Sequence, residues 1–181
     1  MSMFINKETA DKDKFIKAND SMIKTVHVLV YTGNVLKSRD LRKLIEVVYK
    51  NFEDLAISPE LGHNRRTIGE VLTSPMSLTL IAMLNDVIIG YLMANIANAD
   101  NNNRYMHIQY LYTSPYHRGN GVATQLLNTI QRYALIMGID RLSLTFDTYD
   151  KNLERFYVSN GFNYNNELRS YKRHDMMIKF I

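Results

Sequence analysis

The chain has 181 residues, 46% apolar and 22% charged, with no cysteine and no tryptophan. That length suits one domain able to bury a core without disulfide or metal staples. The lack of cysteine excludes disulfides, thiolate nucleophiles and cysteine-ligated metals. A net charge of +4 and a pI near 9.2 favour an anionic ligand, yet the basic residues are scattered in small groups such as Arg39/Arg42/Lys43 and Arg65/Arg66. They read as a solvated surface, not a nucleic-acid footprint.

Residues 1–24 mix lysine with aspartate and glutamate and form a polar arm with no apolar core of signal-peptide type. The longest apolar stretches, Leu78–Leu84 and Val87–Ile96, fall short of the roughly 20 residues that span a bilayer. The expectation is a soluble cytoplasmic protein whose residues 25–181 make a single domain.

Val26–Tyr31 is rich in β-branched residues and reads as a strand closed by a Gly33-Asn34 turn. Ser38 then suits an N-cap. Leu41, Leu44, Ile45, Val48, Phe52 and Leu55 follow at helical spacing. Pro59 and Gly62 interrupt the pattern, and a short helix over Arg65–Leu72 begins near Asn64 or Thr67. Leu78–Leu84 and Val87–Ala97 form a hairpin joined by Asn85-Asp86. After the polar Asn98–Asn103 loop comes a strand over Tyr105–Thr113, stopped by Ser114-Pro115. Val122–Met137 is a strong helix ended by Gly138, Arg141–Phe146 a strand, Lys151–Asn160 a helix closed by Gly161, and Met176–Ile181 a last strand. The result is an α/β domain with a mixed sheet, since hairpins and crossovers coexist.

The stretch that carries chemistry is Tyr110–Ala123, in which a strand runs through Pro115 into Arg118-Gly119-Asn120-Gly121-Val122-Ala123 and straight into a helix. Gly119 and Gly121 let a ligand approach the backbone. The first helical turn leaves unpaired N–H groups carrying partial positive charge, which suits a phosphate or diphosphate. A plain glycine turn would look similar. A dinucleotide-binding loop would need a third glycine where Thr124 stands and an acidic residue near Arg141. A nucleotide-binding Walker loop is excluded, because no Gly-Lys-Ser/Thr follows.

Arg118-x-x-Gly121-x-Ala123 after a strand resembles the (Gln/Arg)-x-x-Gly-x-(Gly/Ala) signature of the GNAT superfamily of N-acetyltransferases. Leu111-Tyr112-Thr113-Ser114-Pro115 is similar to that family's strand-and-bulge entry. About 35 residues further on, Phe156-Tyr157-Val158-Ser159-Asn160-Gly161-Phe162 resembles its second signature. The resemblance implies a mixed, mostly antiparallel central sheet flanked by about four helices, with acetyl-coenzyme A as cosubstrate.

By the same resemblance, the backbone of Leu111, Tyr112 and Thr113 pairs with the pantetheine arm, and a backbone N–H near Leu111 polarises the thioester carbonyl. The amides of Gly119, Asn120, Gly121, Val122, Ala123 and Thr124 wrap the diphosphate, with Arg118 beside them. Tyr157 corresponds to the tyrosine that protonates the leaving thiolate. Asp150 stands where relatives often carry an asparagine that touches coenzyme A; here the asparagine is displaced to Asn152, and Asp150 also suits a helix cap. Some relatives place a glutamate nine residues before the motif arginine, where this chain has Gln109, which cannot act as a base. His107, two residues earlier on the same strand face, is the candidate base.

Acceptor recognition falls, by resemblance, to the first two helices. Glu53, Asp54 and Glu60 are candidates to meet a cationic amine, and Tyr31, Tyr49, Phe52 and Tyr110 to form an aromatic wall. The expected partners are thus an amine of unknown identity and, by analogy with relatives, a second copy of the chain. The five histidines show no metal-ligand spacing, so no metal is assigned. Gln109 and the displaced Asn152 leave open a domain of this fold that binds coenzyme A without transferring acetyl groups.

Overall fold

A computed structural model describes residues 26–32, 38–57, 61–98, 104–165 and 174–181. The predicted arm, the Gly33-Asn34 turn, Pro59, Glu60, most of the Asn98–Asn103 loop, and the side chains of Ser38 and Asp54 lie outside what is described. In chain order the elements are β1 His27–Thr32, α1 Ser38–Asn51, a 3-10 turn Glu53–Ile57, α2 Arg65–Thr73, β2 Ser77–Leu84 and β3 Val87–Asn98. They continue with β4 Arg104–Thr113, α3 Val122–Ile136, β5 Arg141–Asp147, α4 Lys151–Ser159, β6 Asn163–Tyr164 and β7 His174–Phe180. No helix among the described residues is long and apolar enough to cross a membrane.

Local chemistry sets most of these boundaries. Asn64 caps α2 by accepting the Thr67 amide at 2.9 Å. The β2–β3 hairpin turns on Asn85 (φ +49°) and Asp86 (φ +62°), the pair of left-handed residues that a two-residue turn of matching twist requires. α3 and α4 both end in the doubly bonded glycine cap: Ile139 N–H reaches Ala134 O and Phe162 N–H reaches Tyr157 O. One expectation shifts. α1 stops at Asn51, and the chain tightens into i→i+3 bonding (Leu55 N–H to Phe52 O, 2.9 Å), so Leu55 leaves the helix face and lines the cleft described below.

The seven strands form one sheet in the order β1-β2-β3-β4-β5-β7-β6. Every described pairing is antiparallel except β4 with β5. α1 and α2 cover one face, where Leu44, Val48, Ile68, Val71 and Leu72 pack on Ile81, Tyr91, Met93 and Tyr110. α3 and α4 cover the other, where Leu126, Ile130, Ala134 and Tyr157 meet Leu80, Leu92, Ile108, Leu144 and Phe146.

β4 controls what the fold can do. Met93 faces Tyr110 and Ala94 faces Ile108, so Gln109 is an extra residue, a bulge. A bulge bends its strand and raises the local twist. Below it, Met106–Ile108 pair with Leu142–Leu144 of β5. Above it, β4 continues to Thr113 and β5 to Asp147 with no pairing between them. The sheet is split from the bulge upward.

Candidate active site

The split opens a cleft of about 1180 Å3 that runs from the α1–α2 junction, past the upper half of β4, to the start of α4. Its volume is ample for a cofactor-sized ligand together with a second molecule. Along the floor, the edge of β4 over residues 109–113 presents amide and carbonyl groups that β5 does not satisfy. Leu111, Tyr112 and Thr113 line this stretch. An extended amide-bearing chain is what such an edge recruits.

α3 starts at the cleft wall. Gly121 is its N-cap, with φ +78° and no side chain to occupy the first-turn amides. Gly119 is also left-handed, at φ +72°. The turn therefore curls its amides toward one point, aided by the helix dipole and with no acidic residue in the first turn. Gly119, Gly121, Val122, Ala123 and Thr124 line the cleft, and Asn120 lies between the two glycines. Arg118 donates from Nε to Thr113 O at 3.2 Å, which holds its guanidinium at this mouth. Gly90, which the strand pattern marks only as an interruption, lets the helix sit this low. A Cβ there would meet Tyr112 O at 2.8 Å and Val122 Cγ1 at 3.0 Å.

α4 supplies the far wall. Asp150 is its N-cap, accepting the amides of Asn152 and Leu153, each at 3.0 Å. The capping role that residue type allows is thus present, while Asp150 also lines the cleft. Asn152 accepts from Arg155 at 2.7 Å. Tyr157 lines the cleft with only 6% of its surface exposed, its ring set against Phe146, Phe156 and Phe162. Burial, reinforced by the Asp150 carboxylate, pushes its phenol up from the usual value near 10. Its hydroxyl therefore stays protonated at neutral pH.

His107 lies one residue below Ile108 in the paired part of β4. Its Nδ1 is 2.9 Å from Ser143 Oγ of β5, and burial lowers its pKa, so the ring is uncharged at neutral pH. His107 and Gln109 both line the cleft, and the bulge turns Tyr110, paired with Met93, to the α1–α2 side.

On the acceptor side, the predicted aromatic wall is partly assembled. Phe52 and Tyr110 line the cleft with ring centroids 5.2 Å apart. Tyr31 packs against the same core from β1, and Tyr49 stacks on His63 at 5.3 Å. Glu53 is exposed and off the cleft wall; Asp54 and Glu60 cannot be placed within the described side chains. His63 is a site residue that spacing did not single out. It is 6% exposed, lines the cleft, and lies 2.9 Å from Tyr110 Oη through Nδ1 and 3.3 Å from Tyr49 O through Nε2. Its one signal was position, between Gly62 and the Asn64 cap at the helix junction.

These residues fit an acyl-coenzyme A: an unpaired strand edge for its amides, bare helix-start amides for its diphosphate, and a mouth cation. Two buried polar atoms on the cleft wall, Thr113 Oγ1 and His117 Nδ1, have no partner among the described residues, as expected of groups that await a ligand. Among the described residues no metal-binding cluster accompanies them.

Comparison with known proteins agrees. Residues 44–162 match the Acetyltransferase (GNAT) family. No curated protein matches the chain. Among solved structures, the chain resembles the PaiA N-acetyltransferase of Thermoplasma acidophilum in complex with coenzyme A, at 18% identity and TM-score 0.63 over 85% of this chain and 99% of that one. It also resembles Arabidopsis thaliana NAA60 bound to a bisubstrate analogue, at 16% and TM-score 0.62 over 85% and 98%. A third likeness is to an aminoglycoside acetyltransferase from an uncultured soil metagenomic sample, at 19% and TM-score 0.59 over 76% and 91%. At such identities the structural likenesses speak for the fold, and the family match for the chemistry. The chain belongs to the GNAT family of acetyltransferases, whose acyl donor is acetyl-coenzyme A.

Proposed function

We propose that the chain transfers the acetyl group to the nitrogen of a primary amine by direct attack in a ternary complex. The observation that carries this reading is the split between β4 and β5. It opens one continuous cleft, with coenzyme A-type features from residue 109 to α4 and an aromatic end beneath the α1–α2 junction. Two ligands can meet there without a covalent enzyme intermediate, and with no cysteine in the chain no thiol nucleophile is at hand.

When bound, the cosubstrate supplies a thioester carbonyl carbon to which the amine nitrogen bonds as the carbon–sulfur bond breaks. The residues of the chain do the rest. Amides of Gly119–Thr124 and Arg118 hold the diphosphate end; the β4 edge over Leu111–Thr113 orients the pantetheine; Tyr157 Oη holds the proton that the departing sulfur needs. Asp150 and Asn152 flank that end of the cleft, with Asp150 keeping the first turn of α4 in place. An alkylammonium must first lose a proton, at a cost of about 4 kcal/mol at pH 7.4. Of the four imidazoles on the cleft wall, His107 and His63 are the candidates to receive it.

The test is free-thiol release from acetyl-coenzyme A across a panel of primary amines. Wild type should turn over with at least one, and Tyr157→Phe should lower kcat by about 100-fold with the donor KM unchanged. Tight coenzyme A binding with no turnover on any amine would replace this reading with that of a binding scaffold.

A further inference from the structure

We propose that Tyr110 takes the proton of the acceptor amine while passing its own to His63, so that this pair, far apart in sequence, prepares the nucleophile. The inference rests on the N-acetyltransfer reading above.

The hydrogen bonds fix the direction of the relay. A carbonyl oxygen can only accept, so the contact between His63 Nε2 and Tyr49 O at 3.3 Å places the ring proton on Nε2. Nδ1 is then a bare acceptor, and the Tyr110 hydroxyl, 2.9 Å away, donates into it. The remaining lone pairs of Tyr110 Oη are left for a donor in the cleft, which Tyr110 lines immediately above the Gln109 bulge where the strands part. An ammonium group placed there gives its proton to Oη as the original hydroxyl proton moves to Nδ1. The amine becomes neutral, the tyrosine stays a phenol, and His63 becomes an imidazolium with both N–H groups hydrogen-bonded, to Tyr49 O and Tyr110 Oη.

Tyr110 alone would be a poor base in either direction, since burial pushes its phenol up to about 12; as a conduit it need never ionise. The titratable and charged groups around His63 are few. Tyr49 of α1 stacks on it, Arg65 of α2 lies 3.9 Å over the Tyr49 ring and is paired with Glu46 of α1 at 2.7 Å, and Tyr110 and His107 come from β4. Phe52 sits 5.2 Å from the Tyr110 ring and 6.4 Å from His63, shielding the pair. His107, by contrast, is tied to Ser143 within the paired part of the sheet.

The test compares Tyr110→Phe, His63→Gln and His107→Gln with wild type on two acceptors: the best primary alkylamine of the panel and its O-alkylhydroxylamine counterpart, which is uncharged at neutral pH. With the alkylamine at pH 7, Tyr110→Phe and His63→Gln should each lower kcat by about 30-fold, and with the alkoxyamine by no more than about threefold. With the alkylamine, His107→Gln should lose less than either. Equal losses on both acceptors, or a loss confined to His107→Gln, would overturn the relay. In the free protein, nitrogen-15 spectra of labelled histidine should show His63 protonated at Nε2, with its Nδ1 resonance shifted in Tyr110→Phe. A ring protonated at Nδ1 would overturn the relay independently of turnover. A wild type that binds coenzyme A and releases no thiol with any amine overturns the acetyl-transfer reading and the relay together. An active wild type with an unaffected Tyr110→Phe overturns the relay alone.

Discussion

α3 and α4 both begin at the wall of the same cleft, yet their first turns are finished in opposite ways. α3 opens on Gly121, left-handed and without a side-chain cap, and carries no acidic residue in its first turn. α4 opens on Asp150, whose carboxylate takes two of the first-turn amides, and carries Glu154 just inside. Both ends have the same four unsatisfied amides by construction. One satisfies part of them internally and so gains stability; the other has no side-chain cap and leaves its first turn open to the cleft. On the proposed reading, that difference separates a structural helix start from a ligand-binding one.

The most forceful way to break the contrast is to finish α3 like α4. Gly121→Asp places a carboxylate on the α3 amides, at a φ where any side chain is strained. Coenzyme A affinity measured by calorimetry should fall at least about 100-fold, equivalent to about 3 kcal/mol. Next in size is Gly90→Ala. The new methyl would sit 2.8 Å from Tyr112 O and 3.0 Å from Val122 Cγ1, so the start of α3 must lift from the sheet. A stability loss of about 2 kcal/mol in urea melts, with weakened coenzyme A binding, is expected.

Asp150→Ala probes the other helix. Removing the cap should cost about 1 kcal/mol of stability, with coenzyme A affinity held within about threefold. A larger affinity loss would show that the carboxylate also touches the ligand. The smallest effect concerns pH. Burial raises the phenols of Tyr91, Tyr110 (to about 12) and Tyr157, so the folded chain keeps protons that the unfolded chain loses near pH 10. Their contribution to stability is fully present below pH 10 and lost as pH rises from there toward 12 and beyond. Thermal melts should show no pH dependence from them between pH 7 and 9.

The contrast between the two helices was half legible in the sequence. The glycines before Val122 and the Asp150 position can be read directly, because a glycine and a capping aspartate announce themselves locally. The strands, the hairpin turn and both glycine-closed helix ends were legible for the same reason. The split sheet was not. A bulge at Gln109 changes no residue type and alters only the pairing partner, so strict alternation runs past it and would put Tyr110 on the face of Ile108, whereas the structure turns it to the α1–α2 side. β6 has two residues, too few to show a period. His63 and Tyr110 are 47 positions apart and meet only because α1, α2 and the bulged strand converge. Gly90 sits within a strand, and nothing local reveals that α3 passes over it.

In the proposed reaction the amides at the start of α3 hold the diphosphate, and amide chemical shifts read those groups one by one. Nitrogen-15-labelled protein titrated with coenzyme A should show its largest shift changes at Gly119–Thr124, and pantetheine, which lacks the diphosphate, should leave those amides within error while still moving Leu111–Thr113. Equal changes at Gly119–Thr124 with both ligands, or none there with coenzyme A, would contradict it.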